Sequence, residues 1–119
     1  ELELRARELL QAFKRSGEVG VFAVMLPEPL PDRETERLLA ELGRLGLRPA
    51  ALFVNRIIFS KDAANCTRCQ LAAGWQSSVL ANLKKRHSAK EVFAIRNFAQ
   101  EIAGANRLRA ITDELWRLN

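Results

Sequence analysis

Residues 20–26 read Gly20-Val21-Phe22-Ala23-Val24-Met25-Leu26, a run with no charge and no polar side chain. A short, continuous apolar run rich in Val and Phe is the signature of a strand buried on both faces. Two further runs are largely apolar and of strand length, Ala50–Ile58 (AALFVNRII) and Glu91–Ile95 (EVFAI). The segments around them carry helical spacing instead. Residues 1–15 place Leu2, Ala6, Leu9, Leu10 and Phe13 on one face and stop at Ser16-Gly17. Pro27-Glu28-Pro29-Leu30-Pro31 can neither continue a strand nor lie inside a helix. Pro31 suits a first helical position, with Asp32 and Glu34 in an acidic first turn. Leu38, Leu39, Leu42 and Leu45 keep the spacing until Gly46 closes that helix. A third helix over about 70–86 aligns Ala72, Trp75, Val79 and Leu83. After a loop from Arg96 to about Ala103, a last helix aligns Leu108, Ile111, Leu115 and Leu118.

Strands and helices therefore alternate, which predicts an α/β fold: a parallel sheet flanked by helices in three layers. Ligands of such folds bind beyond the carboxyl ends of the strands. Those ends carry Pro27-Glu28, Asn55-Arg56 and Arg96-Asn97, the last followed by a loop running to Glu101. All lie on one edge of a parallel sheet, so this edge is the expected ligand site. Glu28 suits a cation or hydroxyl there, or the capping of a loop. Asn55 offers the paired donor and acceptor that read a purine edge, or the fixing of a strand end. The long loop after Arg96 is of the kind that covers a ligand.

Composition bounds the reading. The chain has 119 residues, 48% hydrophobic and 28% charged, which fits one soluble globular domain or a piece of one. It starts at Glu1, inside a helical pattern, which suggests a fragment of a longer protein. The longest uncharged run, Cys69–Leu83, is interrupted by Gln, Ser and Asn, so neither a signal peptide nor a membrane span is expected. The net charge of +5 is spread among acids. Its densest cluster, Lys84-Lys85-Arg86-His87, sits where cations offset a helix dipole, and no aromatic residues interleave with it to stack bases. No nucleic-acid partner is expected.

Both cysteines lie in Asn65-Cys66-Thr67-Arg68-Cys69-Gln70. Two cysteines make no disulfide framework, so a reducing, cytoplasmic compartment is expected. The leading reading of the pair is a zinc site between two chains, with two rivals beside it. Cys66 and Cys69 have the spacing to grip one side of a zinc ion, but structural zinc takes four ligands. The only histidine, His87, is remote in sequence, so a twofold homodimer would have to complete a four-thiolate site. Alternatively the pair is a redox dithiol at a helix start, or two plain reduced thiols. Equally informative is what the sequence lacks. There is no G-x-x-x-x-G-K-[ST] cradle, no Ser/His/Asp set and no carboxylate cluster for a metal. These residues alone are not a complete enzyme.

The runs Leu26-Pro27-Glu28-Pro29-Leu30 and Glu34-Thr35-Glu36-Arg37-Leu38 resemble the family of arsenical pump-driving and tail-anchored-protein-targeting ATPases. The resemblance continues through Val54-Asn55-Arg56, Asn65–Gln70 and Glu101-Ile102-Ala103-Gly104-Ala105-Asn106, in the family's order and spacing. It implies the C-terminal part of a dimeric P-loop ATPase of the deviant Walker A type, with phosphate loop, magnesium ligands and water-positioning residues upstream. Residues 1–18 would be a helix leaving a helical subdomain, and 19–119 the C-terminal part of the nucleotide-binding domain. By that resemblance Cys66 and Cys69 fall on the family's zinc cysteines, with zinc shared between two chains. Asn55 falls on its adenine-contacting asparagine, and Arg96, Asn97 and Phe98 open its adenine-covering loop. Glu28 falls on the nucleotide-proximal dimer surface. Arg96 stands where the family usually has proline, and a cation there is placed to stack on adenine. ATP and ADP with magnesium are the implied cofactors of the parent. Its implied partners are a membrane anion pump or tail-anchored membrane-protein clients.

Overall fold

The apolar runs become three parallel strands, β1 (Phe22–Met25), β2 (Ala51–Ile57) and β3 (Glu91–Arg96), hydrogen-bonded in that order. The structure is a computed structural model that describes all residues except 16, 89 and 119. Phe22 pairs with Ala51 and Ala51 with Glu91, so the three strands start level. Helix α1 (Leu2–Phe13) precedes β1; α2 (Pro29–Arg44) and α3 (Thr67–Arg86) are the two crossovers. Strands added in sequence order by right-handed crossovers put both helices on the same face of the sheet. The core accordingly joins Ala23, Met25, Leu52, Val54, Val92 and Ala94 of the sheet to Val79 and Leu83 of α3, with Leu39 of α2 packed alongside.

The opposite face is aromatic. Phe22, Phe53 and Phe93 form a ladder across three strands, edge-on at 5.9 Å and then stacked at 5.4 Å. The Arg117 guanidinium lies 5.9 Å over the Phe93 ring. Nothing among the described residues covers the β1 end of this face, where Phe22 is 58% and Val24 64% exposed. The helix-flanked α/β sheet is as expected, but α2 and α3 supply a layer on one side only.

Four local expectations are corrected. Helix α1 is shorter than expected, and its apolar face is bare: Leu2, Leu9 and Phe13 are exposed. The expected stop at Ser16-Gly17 falls partly outside the described residues. Helix α2 starts at Pro29 rather than Pro31, with Glu28 as an extended N-cap; both prolines sit in the first turn, where the missing N–H has no intrahelical acceptor to lose. On α3 the buried stripe is Ala73, Gln76, Val79 and Leu83, which turns Trp75 outward beside Leu30 and Leu71. The last helix, α4 (Ala105–Glu114), ends before Leu115 and Leu118. Trp116–Arg117 instead form β4, antiparallel to β3, which makes the sheet mixed. Burial of an aromatic ring wins over helical spacing here, since Trp116 stacks on Phe59 at 5.4 Å and packs with Leu118 against the core.

Gly46 does close α2, as expected. At φ +75° it lets its own N–H reach Gly43 O at 3.0 Å and the Leu47 N–H reach Leu42 O at 2.8 Å. This is the paired bonding of a Schellman stop, which favours a residue without Cβ. Gly46→Ala is expected to lower stability by about 1 kcal/mol through left-handed strain. Urea unfolding of the two proteins measures it, and unchanged stability would refute the assignment.

Candidate functional site at the strand ends

The site begins with a conflict in β2. Leu52 and Val54 face the helices, so strict alternation would send Arg56 into the core, where an unpaired charge is prohibitively costly. The chain resolves this with a register shift between Val54 and Ile57. Ile57 takes the core position and pairs with Arg96, while Asn55 and Arg56 both stay exposed. Arg56 sits at φ 63°, the one non-glycine residue with positive φ among the described residues. Bulges of this kind recur next to functional sites, where they re-aim side chains.

The bulge is held from α3. Gln76 is only 5% exposed, and both ends of its amide are used. Its Nε2 donates to Arg56 O at 3.2 Å, and its Oε1 accepts from the Ile58 N–H at 2.8 Å. Sequence reasoning missed Gln76. The available signal was a polar residue in step with Ala73, Val79 and Leu83 on the buried face.

The three strand ends meet as expected. Asn97 N–H donates to Ile57 O at 2.8 Å, and Arg56 Nε donates to Asn97 Oδ1 at 3.3 Å. A cavity of about 150 Å³ lies between them, lined by Pro27, Glu28, Arg56, Gln76 and Asn97. The Glu28 carboxylate makes no capping bond to α2 and stays exposed. Beside it a second cavity, of about 300 Å³, is lined by Asp62, Cys69, Arg96, Asn97 and Ala99. Asn55 lines neither; it is exposed next to the bulge.

Arg96 is half-buried, and its guanidinium already has partners within the protein. Its guanidinium pairs with Asp62 at 3.5 Å and Glu114 at 3.7 Å, and lies 5.9 Å over the Phe98 ring. Its Nε is buried without a hydrogen-bond partner. The cation placed by the sequence to stack on a base is thus already stacked on Phe98. It ties the loop before the cysteines to the end of α4.

Cys66 is the N-cap of α3, and its sulfur accepts from the Cys69 N–H at 3.1 Å. The helix therefore starts at Thr67, earlier than expected, with the cysteines in its first turn. The two sulfurs are bonded to each other, with Cα atoms 5.2 Å apart. Zinc needs the reduced thiolates, so ligation and this bond exclude one another. The donor chemistry fits half a four-thiolate site. Among the described residues no group of three His, Cys, Asp or Glu side chains could hold a metal. His87 caps the other end of the 20-residue α3, buried, with Nε2 2.7 Å from Glu36 Oε1. At 1.5 Å per residue it lies about 30 Å along the helix from the cysteines. Its neighbour Arg86 pairs with Asp32 and Glu36, so the basic cluster is a helix end fastened to α2.

Residues 3–117 match the sequence profile described as anion-transporting ATPase. Among similar proteins, the ATPase GET3 of Chaetomium globosum is 26% identical over 108 residues, 91% of this chain and 32% of its own. The ATPase get3 of Botryotinia fuckeliana is 26% identical over 103 residues, 87% of this chain and 30% of its own. That of Aspergillus terreus is 26% identical over 108 residues. This chain spans about a third of the length of these relatives. Among the described residues no helix is long and apolar enough to cross a membrane.

Proposed function

As the chain belongs to the anion-transporting ATPase family, we propose that it supplies the base-side nucleotide contacts and the dimer clasp of a longer ATPase. In this reading residues 1–18 leave a helical subdomain, and 19–119 form the C-terminal part of the nucleotide-binding domain. The observation that carries it is the meeting of Glu28, Arg56 and Asn97 at the carboxyl edge of a sheet within the matched region. Asn55 reads the adenine edge, and Asn97 and Phe98 shape the loop over it. Arg96 acts from beneath, holding Phe98 rather than stacking on the base. Glu28 faces the nucleotide-proximal dimer surface.

Cys66 and Cys69, when reduced, hold one side of a zinc ion whose other ligands come from a second copy. The parent is a cytoplasmic homodimer that binds magnesium and ATP through upstream residues. Its hydrolysis drives an anion pump or the targeting of tail-anchored membrane proteins. A second reading, a dithiol redox couple, is favoured by the bond between the two sulfurs.

Adenosine and guanosine, which lack phosphates, probe the base contact in this chain by NMR titration. Adenosine is expected to bind in preference, with shifts at Asn55 and Asn97, and Asn55→Ala to weaken it about tenfold, as for loss of paired hydrogen bonds. No ATP turnover is expected from these residues, since none of them cradles the β- and γ-phosphates. Sustained turnover by the purified chain would overturn the assignment.

A further inference from the structure

We infer that Gln76 is a positioning residue for base recognition, acting through the bulge that presents Asn55. This rests on the reading of Asn55 as the base contact. Along β2, Val54 faces the helices and Ile57 does so again, so the chain spends two residues where alternation allows one. Asn55 is the first of the two, and the backbone turns at Arg56, φ 63°, immediately after it. A β-strand residue with a bulky side chain does not hold positive φ unaided, so something must pin it.

The pin is the Gln76 amide. It bonds the carbonyl of Arg56 and the N–H of Ile58, the two backbone groups that flank Ile57. The register shift falls between Val54 and Ile57, and the buried amide gives each of these two backbone groups a fixed partner at once. The fixed turn also aims Arg56 at Asn97 Oδ1, while Ile57 O receives the Asn97 N–H. One buried side chain on α3 therefore sets the end of β2, the direction of Asn55 and the start of the loop after β3. Packing alone does not require an amide here. A side chain of the same length without hydrogen bonds would fill the space but leave the turn free to relax toward ordinary alternation.

The variants are Gln76→Met, of similar length without either bond, and Gln76→Glu, which keeps the acceptor for Ile58 but presents no donor to Arg56. The readouts are amide exchange at Ile58 and the preference for adenosine over guanosine by NMR titration of this chain. Gln76→Met is expected to lose Ile58 protection and to cut the base preference about fivefold, the worth of one hydrogen bond. Gln76→Glu is expected to keep Ile58 protection and retain an intermediate preference; it carries the test alone if the methionine variant does not fold. Unchanged preference in both, with Asn55→Ala still reducing it, would overturn the role of Gln76 and leave the base contact standing. A wild-type chain with no base preference, or one indifferent to Asn55→Ala, would overturn the base contact and this inference with it.

Discussion

Reduced and supplied with zinc, the protein is expected to assemble as pairs of chains with about one zinc per pair. The expectation follows from a shortfall of donors. Each chain offers two sulfurs in the first turn of α3, and no third ligand stands with them among the described residues. Structural zinc bound by thiolates carries apparent binding energy on the order of 10 kcal/mol, far above what a surface contact gives. Removing one sulfur should therefore abolish the metal-linked pair rather than weaken it. Native mass spectrometry reads both quantities together: zinc and pairing are expected in the reduced wild type, and both are lost in Cys66→Ser. A metal-free protein holding a Cys66–Cys69 disulfide that cycles reversibly with dithiol reagents would instead establish the redox couple.

Leu83→Ala is expected to cost about 3 kcal/mol of folding stability, the usual loss for a leucine truncated inside a packed core. Leu83 is fully buried, where α3 meets Leu52, Val54, Val92 and Ala94 of the sheet. That is a large share of the roughly 5–15 kcal/mol that separates the folded from the unfolded state of a typical domain. Here the core lies on one face of the sheet, so few other contacts compensate. Leu108→Ala on α4 is the control: its side chain is exposed and its loss should fall within about 0.5 kcal/mol. Urea unfolding measures both. A Leu83→Ala cost near that of the control would mean that α3 does not cover the sheet at this point.

The three parallel strands and the helices between them were legible because continuous apolar runs and helical spacing differ in period and length. The meeting of Glu28, Arg56 and Asn97 followed from that alternation alone. The bulge was not read, although Arg56 stood at a core parity in an otherwise apolar run, a conflict visible without coordinates. Helical spacing aligns Trp75 with Ala72, Val79 and Leu83, but the helix turns Gln76 inward to serve the backbone of β2 and leaves Trp75 exposed. Strand β4 was illegible for a simpler reason: two residues carry no period, and Trp116 is drawn out of the helical pattern by a ring and a core that are distant in sequence. The sequence reading favours zinc at Cys66 and Cys69, while the structure bonds the two sulfurs to each other; the same spacing serves a disulfide and a metal.

The aromatic face ends at β1, which pairs with β2 alone among the described strands, while the other edge is only the two-residue β4. The longer of the two edges is therefore that of β1. The outer backbone of Phe22–Met25 is a template for another strand, and Phe22 and Val24 beside it reward whatever settles there. Association through this edge is expected to owe nothing to metal and to rise with protein concentration. An oligomer that survives both chelation and Cys66→Ser is expected to use this margin and to be dispersed by Val24→Lys; one unchanged by Val24→Lys would point instead to the bare face of α1 or to Trp75.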